Sequence, residues 1–249
     1  MIPIQDSVPR RCPPIMTWTL IFINTAIFFM ETMLPGPLLE QLFYTFGLVP
    51  VKYTHLALGS NIGGDLLGLW PFFTCMFLHG GWVHIIGNMW TLWIFGDNVE
   101  DEMGSFRFLV FYVLSGIAAS IIQVGTNPLS NIPTIGASGA IAGVMGAYYV
   151  LFPRARIILM VPLFFIPFFF EVPAVFYLGF WFFEQLFSGT FSLVATAYES
   201  NIAWWAHAGG FAFGMLFHRF FLWGARFRPC MRYKDELRPW GMLGPRERV

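Results

Sequence analysis

Six stretches of this chain, near 16–34, 82–98, 106–125, 137–152, 170–188 and 203–224, are predominantly apolar once Gly and Pro are allowed inside them. A hydrocarbon slab about 30 Å thick needs roughly 20 such residues per helix, so each stretch is long enough, or nearly so, to cross it. That pattern fixes the expectation: an all-α, polytopic membrane protein whose body is a bundle of six transmembrane helices, with the lipid bilayer as its surroundings. Only 11% of residues are charged, against about a quarter in a soluble domain, so there is too little polar material to cover a wetted surface. The 14 basic and 14 acidic residues cancel, which leaves no case from bulk charge for a nucleic-acid partner.

Connections between the stretches are unequal. The first, from Pro35 to Gly81, is rich in Gly, Pro and aromatics and reads as a long interfacial loop in the headgroup region, with Trp70 and Phe72 as anchors. The run 157–169 is hydrophobic but interrupted by Pro162 and Pro167, so it is expected to be a re-entrant or interfacial lead-in to the fifth helix. Basic residues set the orientation: with the N-terminus cytoplasmic, every one of the 14 except Lys52 falls on the inside, so both termini are expected there. The division that follows is a cytoplasmic segment 1–15, a six-helix membrane domain 16–224 and a basic cytoplasmic tail 225–249. The first residues carry prolines and arginines with no apolar run ahead of Pro14, so a cleaved leader is not expected. Cys12, Cys75 and Cys230 are far apart and form no CxxC pair, so neither a disulfide framework nor a thiolate zinc site is indicated.

The fourth stretch is short. Pro153-Arg154 ends it on the inside and Pro133-Thr-Ile-Gly136-Ala-Ser138 marks its other end, leaving about 15 helical residues, or about 22 Å, less than the slab. Its N-terminus should therefore sit below the outer surface, with unpaired N–H groups that need water or protein partners. Ser138 stands at that end, within Gly136-Ala137-Ser138-Gly139; it is either a reactive hydroxyl or simply the helix N-cap. A second ionisable feature, His207, lies in the otherwise apolar final stretch, where such a side chain is a functional-site hypothesis by default, its plain alternative being a packing hydrogen bond to backbone. Gly210 and Gly214 follow His207 on one helical face, and Ala142 and Gly146 follow Ser138 in the same way. Small faces of this kind let two helices approach closely enough to bring a hydroxyl and an imidazole together. A Ser–His pair suffices for nucleophilic catalysis, since the imidazole takes the hydroxyl proton and returns it to the leaving amine.

A third element, His79-Gly-Gly-Trp-Val-His84-Ile-Ile-Gly-Asn88, opens the second stretch. His84 and Asn88 are four apart and share a face, so both can point polar donors into the bundle, where acyl transfer needs them for the tetrahedral oxyanion. A zinc site is disfavoured because the histidines lack the HExxH spacing, and no metal or other cofactor is expected. An aspartyl protease is disfavoured because Asp65, in Gly63-Gly64-Asp65, has no second aspartate inside a span to share its proton.

With these residues in place the chain resembles the rhomboid intramembrane serine proteases, over about residues 15–224. The matching elements are Gly136-Ala137-Ser138-Gly139, His207 followed by glycines, and His84 with Asn88 and His79 upstream, on the second, fourth and sixth helices in the family's order. The resemblance implies that Ser138 is the nucleophile and His207 the general base and acid. It implies that Asn88, His84, Gly136 and the Ser138 backbone N–H stabilise the oxyanion, with His79, Gly139, Gly210 and Gly214 in support. It further implies cofactor-free cleavage of transmembrane segments of other membrane proteins near their outer ends. A bacterial inner membrane is the expected location. The chain departs from many members in lacking a Trp-Arg pair in the first loop, and Ala142 stands where some carry an aromatic that supports the histidine. Support for His207 is thus open, with Trp204, Trp205 and Phe211 as candidates.

Other polar residues are read as structural: Asp97, Glu100, Asp101 and Glu102 as a solvated loop face, Glu171 as a helix start, and Glu184-Gln185 as reaching headgroups at the outer end of the fifth helix rather than lining an access path. Trp181 and Phe182 mark the fifth helix as a candidate lateral gate. The competing functional class is a catalytically silent membrane protein of the same architecture that binds or escorts transmembrane clients.

Overall fold

The computed structural model describes residues 1–57, 66–163, 166–194 and 202–223; Asp65 and the basic tail lie outside them. Six helices of 14 to 22 residues carry the body of the chain: α1 (Ile15–Thr32), α5 (Trp82–Met103), α6 (Ser105–Thr126), α7 (Ser138–Leu151), α8 (Ala174–Val194) and α9 (Trp204–Leu222). The first loop holds α2 (Gly36–Phe46), α3 (Val51–Ala57) and the single turn α4 (Pro71–Thr74), with 3-10 turns at Leu66–Leu69 and Cys75–Phe77. Among the described residues, α1 and α6 are long and apolar enough by length and composition to cross a membrane, and α7 is a shorter apolar helix. Large apolar side chains cover the outer faces, among them Phe22, Phe106, Phe180 and Phe220, each about seven-tenths exposed. A surface like this is stable against lipid and not against water; this is a membrane protein.

The all-α expectation needs correction. Residues Ile2–Asp6 (β1), Arg156–Leu163 (β2) and Ile166–Pro173 (β3) form an antiparallel sheet in the order β1-β2-β3. The run expected as a re-entrant lead-in is thus carried by two paired antiparallel strands, and α8 starts only at Ala174. β-branched and aromatic residues suit a pleated surface. Pro162 and Pro167 fall opposite each other in the register, an arrangement that an antiparallel ladder accepts where the pair exchanges no N–H bonds. Ile157 and Leu159 are buried on the sheet's inner side.

The acidic group at the end of α5 is likewise not a solvated loop face. Glu100 is buried, and its carboxylate accepts the backbone N–H groups of Met16 and Thr17 and the hydroxyls of Thr17 and Ser105. Those two N–H groups are orphans of the first turn of α1, which no local side chain caps, so an acceptor from α5 replaces the missing cap. Asp101 accepts the N–H of Cys12 at 2.9 Å, and Arg11 pairs with Glu102. Between α5 and α6 the chain reverses at Gly104, whose φ of 81° is in the left-handed region that glycine enters without penalty.

Two contacts position the segment before α7. Leu48 and Thr134 exchange backbone hydrogen bonds of 3.0 and 2.7 Å, and the N–H of Gly136 donates to the Cys75 carbonyl at 2.8 Å. The first loop therefore clamps the segment that delivers Ser138.

Candidate active site

Helix α7 has 14 residues, α5 and α6 have 22. At 1.5 Å per residue that is about 21 Å against about 33 Å, so α7 is roughly two turns shorter than its neighbours. Above its N-terminus lies an open cavity of about 1280 Å³, lined by Ser138, His207, His84, Asn88 and Gly136 among others. Ser138 is the first residue of α7 and follows Ala137 at the cap position; no side chain caps this helix. The N-cap alternative for Ser138 is thereby set aside: its hydroxyl is engaged elsewhere.

Ser138 Oγ lies 2.8 Å from His207 Nε2. This distance follows from the way α7 meets α9. A Cβ on Gly210 would sit 2.0 Å from the Gly139 carbonyl oxygen, one on Gly214 1.9 Å from that of Gly143, and one on Gly146 2.1 Å from that of Phe211. The two backbones touch, and only glycine permits it. His207, three residues before Gly210 on the same face, is carried to the hydroxyl by that contact.

His84 and Asn88 come from the first two turns of α5. The Gly80 N–H donates to His84 Nδ1 at 3.4 Å, which leaves Nε2 as the ring's proton-bearing nitrogen. Gly136 holds φ at 125°, and a Cβ there would lie 2.6 Å from His84 Nε2 and 3.7 Å from Asn88 Nδ2. Glycine is thus required twice, for the backbone and for the space. Asn88 Nδ2 is buried with no partner, so a donor stands unused beside Gly136 in the lining of the same cavity. His79 is buried and packs edge-on to His84 with ring centroids 5.1 Å apart, while its backbone N–H reaches the buried Glu31 carboxylate at 3.3 Å.

Support for His207 comes from a residue read as peripheral in the sequence. Gln185 of α8 is buried, with Oε1 2.8 Å from His207 Nδ1. Trp181 lies over the imidazole at 6.0 Å between centroids, and Phe211 stands behind Trp181 at 5.9 Å and stacks on Phe182 at 4.6 Å. The signal was present: a polar side chain in an apolar helix is a functional hypothesis. It was masked because α8 continues to Val194, six residues past the expected end, so Gln185 lies inside the helix rather than at the headgroups.

The Rhomboid domain model matches residues 66–224, well over half the chain, and the chain belongs to that family. Among curated proteins it is similar to the rhomboid protease GluP of Bacillus subtilis, 31% identical over 143 residues, which is 57% of this chain and 26% of that protein. It is 37% identical over 89 residues to Rhomboid protein 1, mitochondrial, of Saccharomyces cerevisiae (34% of this chain, 26% of that one). It is also 37% identical over 78 residues to RHOMBOID-like protein 5 of Arabidopsis thaliana (31% and 25%). The matches thus span about a quarter of these relatives' lengths.

Proposed function

We propose that the chain is an intramembrane serine endopeptidase that hydrolyses peptide bonds in or near transmembrane segments of other membrane proteins. The observation that carries this reading is the 2.8 Å approach of Ser138 Oγ to His207 Nε2 inside an open hollow. In the reaction, Nε2 takes the hydroxyl proton as Oγ attacks the scissile carbonyl carbon. The oxyanion that forms is met by Asn88 Nδ2, His84 Nε2 and the Ser138 N–H, the last at a helix start where partial positive charge collects. The imidazolium returns its proton to the leaving amine, and the C–N bond breaks to leave an acyl ester on Ser138. A water from the hollow then attacks the ester, giving its proton through His207 to Oγ, and the acid product departs.

Six crossings with both termini cytoplasmic fit the same picture. β1 precedes α1 and β2 follows α7, and the two strands pair; four crossings between them put both on one side of the bilayer. A substrate helix must unwind locally to present its backbone, so helix-breaking residues near the cut favour cleavage. A silent client-binding protein has no need of a hydroxyl, a base and two converging donors at one point. The test is cleavage of a reconstituted transmembrane substrate by the full chain: Ser138→Ala and His207→Ala each abolish it while the protein stays folded. Retained cleavage in either variant would overturn the reading.

A further inference from the structure

Three polar side chains beyond the hydroxyl and imidazole form a continuous path. Ser188 Oγ donates to Glu184 Oε1 at 3.4 Å, Gln185 Nε2 donates to Glu184 Oε2, and Gln185 Oε1 faces His207 Nδ1 at 2.8 Å. A carboxylate offers only acceptors, so it claims the amide's NH₂ end and turns the carbonyl end toward the histidine. The carbonyl in turn accepts, so Nδ1 must carry the ring proton. The neutral imidazole has one proton, and placing it on Nδ1 leaves Nε2 as a lone pair directed at Ser138 Oγ. The other tautomer sets two acceptors face to face at Gln185 and makes Ser138 Oγ accept from Nε2–H, leaving no lone pair to take the hydroxyl proton.

We propose that Gln185 is the positioning residue for His207, fixing its tautomer and ring plane, and that Glu184 acts through Gln185 by fixing the amide's direction. The proposal rests on the protease reading above and deepens it: the pair becomes a Ser–His–Gln array in which the third member is neutral and comes from α8. It also accounts for Ala142. With the ring held in its plane by an amide from α8 and covered by Trp181, an aromatic on α7 has no task left. Gln185 is only 3% exposed, and burying an amide is unfavourable unless its hydrogen bonds are made; here both ends are used.

The experiment compares wild type, Gln185→Leu and Gln185→Glu in the purified full chain, reading kcat and KM on a reconstituted transmembrane substrate and the second-order rate of labelling by a small fluorophosphonate. Leucine removes the acceptor at similar bulk. It is expected to lower kcat and the labelling rate in parallel, by about 100-fold, with KM within about twofold. Glutamate, sharing one proton with the adjoining Glu184 carboxylate as two neighbouring carboxyl groups must, donates its O–H to Glu184 in place of the amide, keeps an oxygen acceptor for Nδ1–H, and is expected to recover most of that loss. Equal impairment of both variants, or a loss confined to KM, would mean a packing role and overturn the proposal, as would an unchanged labelling rate in Gln185→Leu. A measurement that needs no variant to fold is the ¹⁵N spectrum of histidine-labelled wild type: a protonated Nδ1 at His207 supports the proposal and a protonated Nε2 overturns it. Wild type that neither cleaves nor labels would instead count against the protease reading itself, so the two failures are distinct.

Discussion

Replacing Gly210 with alanine would place a methyl carbon 2.0 Å from the Gly139 carbonyl oxygen. An ordinary C···O contact is about 3.3 Å, so the α7 and α9 backbones must separate by about 1.3 Å or the helix must turn. Neither obstacle is a flexible side-chain tip, so the strain cannot be relieved locally. Ser138 adjoins Gly139 and His207 lies three residues from Gly210 on the same helix, so the displacement acts directly on the 2.8 Å hydrogen bond between them. Stretched by about 1 Å it exceeds hydrogen-bond range. Misplacement on this scale costs about 100-fold in rate, and overpacking costs about 1–3 kcal/mol in stability. The assay is kcat and KM on a reconstituted transmembrane substrate, with thermal unfolding in detergent alongside. Gly36→Ala serves as the control, since a Cβ there meets nothing within 4 Å. If Gly210→Ala is folded and its kcat stays within about twofold of wild type, the argument that a glycine contact sets the Ser–His distance is refuted.

Further expectations follow from the same geometry. Asn88→Ala and His84→Ala should each lower kcat by about 10²- to 10³-fold with little change in KM, because the donors act on charge that appears only in the transition state; steady-state kinetics showing a KM effect alone would contradict this. Glu100→Ala leaves the N–H groups of Met16 and Thr17 and two hydroxyls without their acceptor and should cost at least about 3 kcal/mol in denaturant titration, whereas a change under about 1 kcal/mol would mean that water replaces the carboxylate. Tyr148→Phe removes the hydroxyl that donates to Asp6 Oδ2 at 2.5 Å; stability should fall by about 1–3 kcal/mol with kcat unchanged, and a fall in kcat would show that the sheet is coupled to the site.

Much of this arrangement was legible because lipid imposes simple rules. Apolar runs give helix positions, and the helix ends near Ser138 and Trp82 follow from Gly and Pro punctuation. The small faces at Gly210 and Gly214 announce close packing from the sequence alone. The strand pair β2 and β3 was not legible, because a short apolar run broken by prolines looks the same as an interrupted helix until a third strand, from the far N-terminus, is found to pair with it. Glu100 was misread for a related reason: acidic residues are usually solvated, and its backbone partners lie more than 80 residues away at the start of α1. Gln185 was missed through a boundary, since a helix that ends near 188 puts it at the membrane edge and one that ends at Val194 puts it in the site.

The central claim, that the Ser138 hydroxyl is activated by His207, is tested most directly by exposing the purified full chain to a fluorophosphonate and mapping the adduct by mass spectrometry. A single modified serine at Ser138, lost in Ser138→Ala and strongly slowed in His207→Ala, is the predicted result; no adduct, or one on another serine, would contradict it.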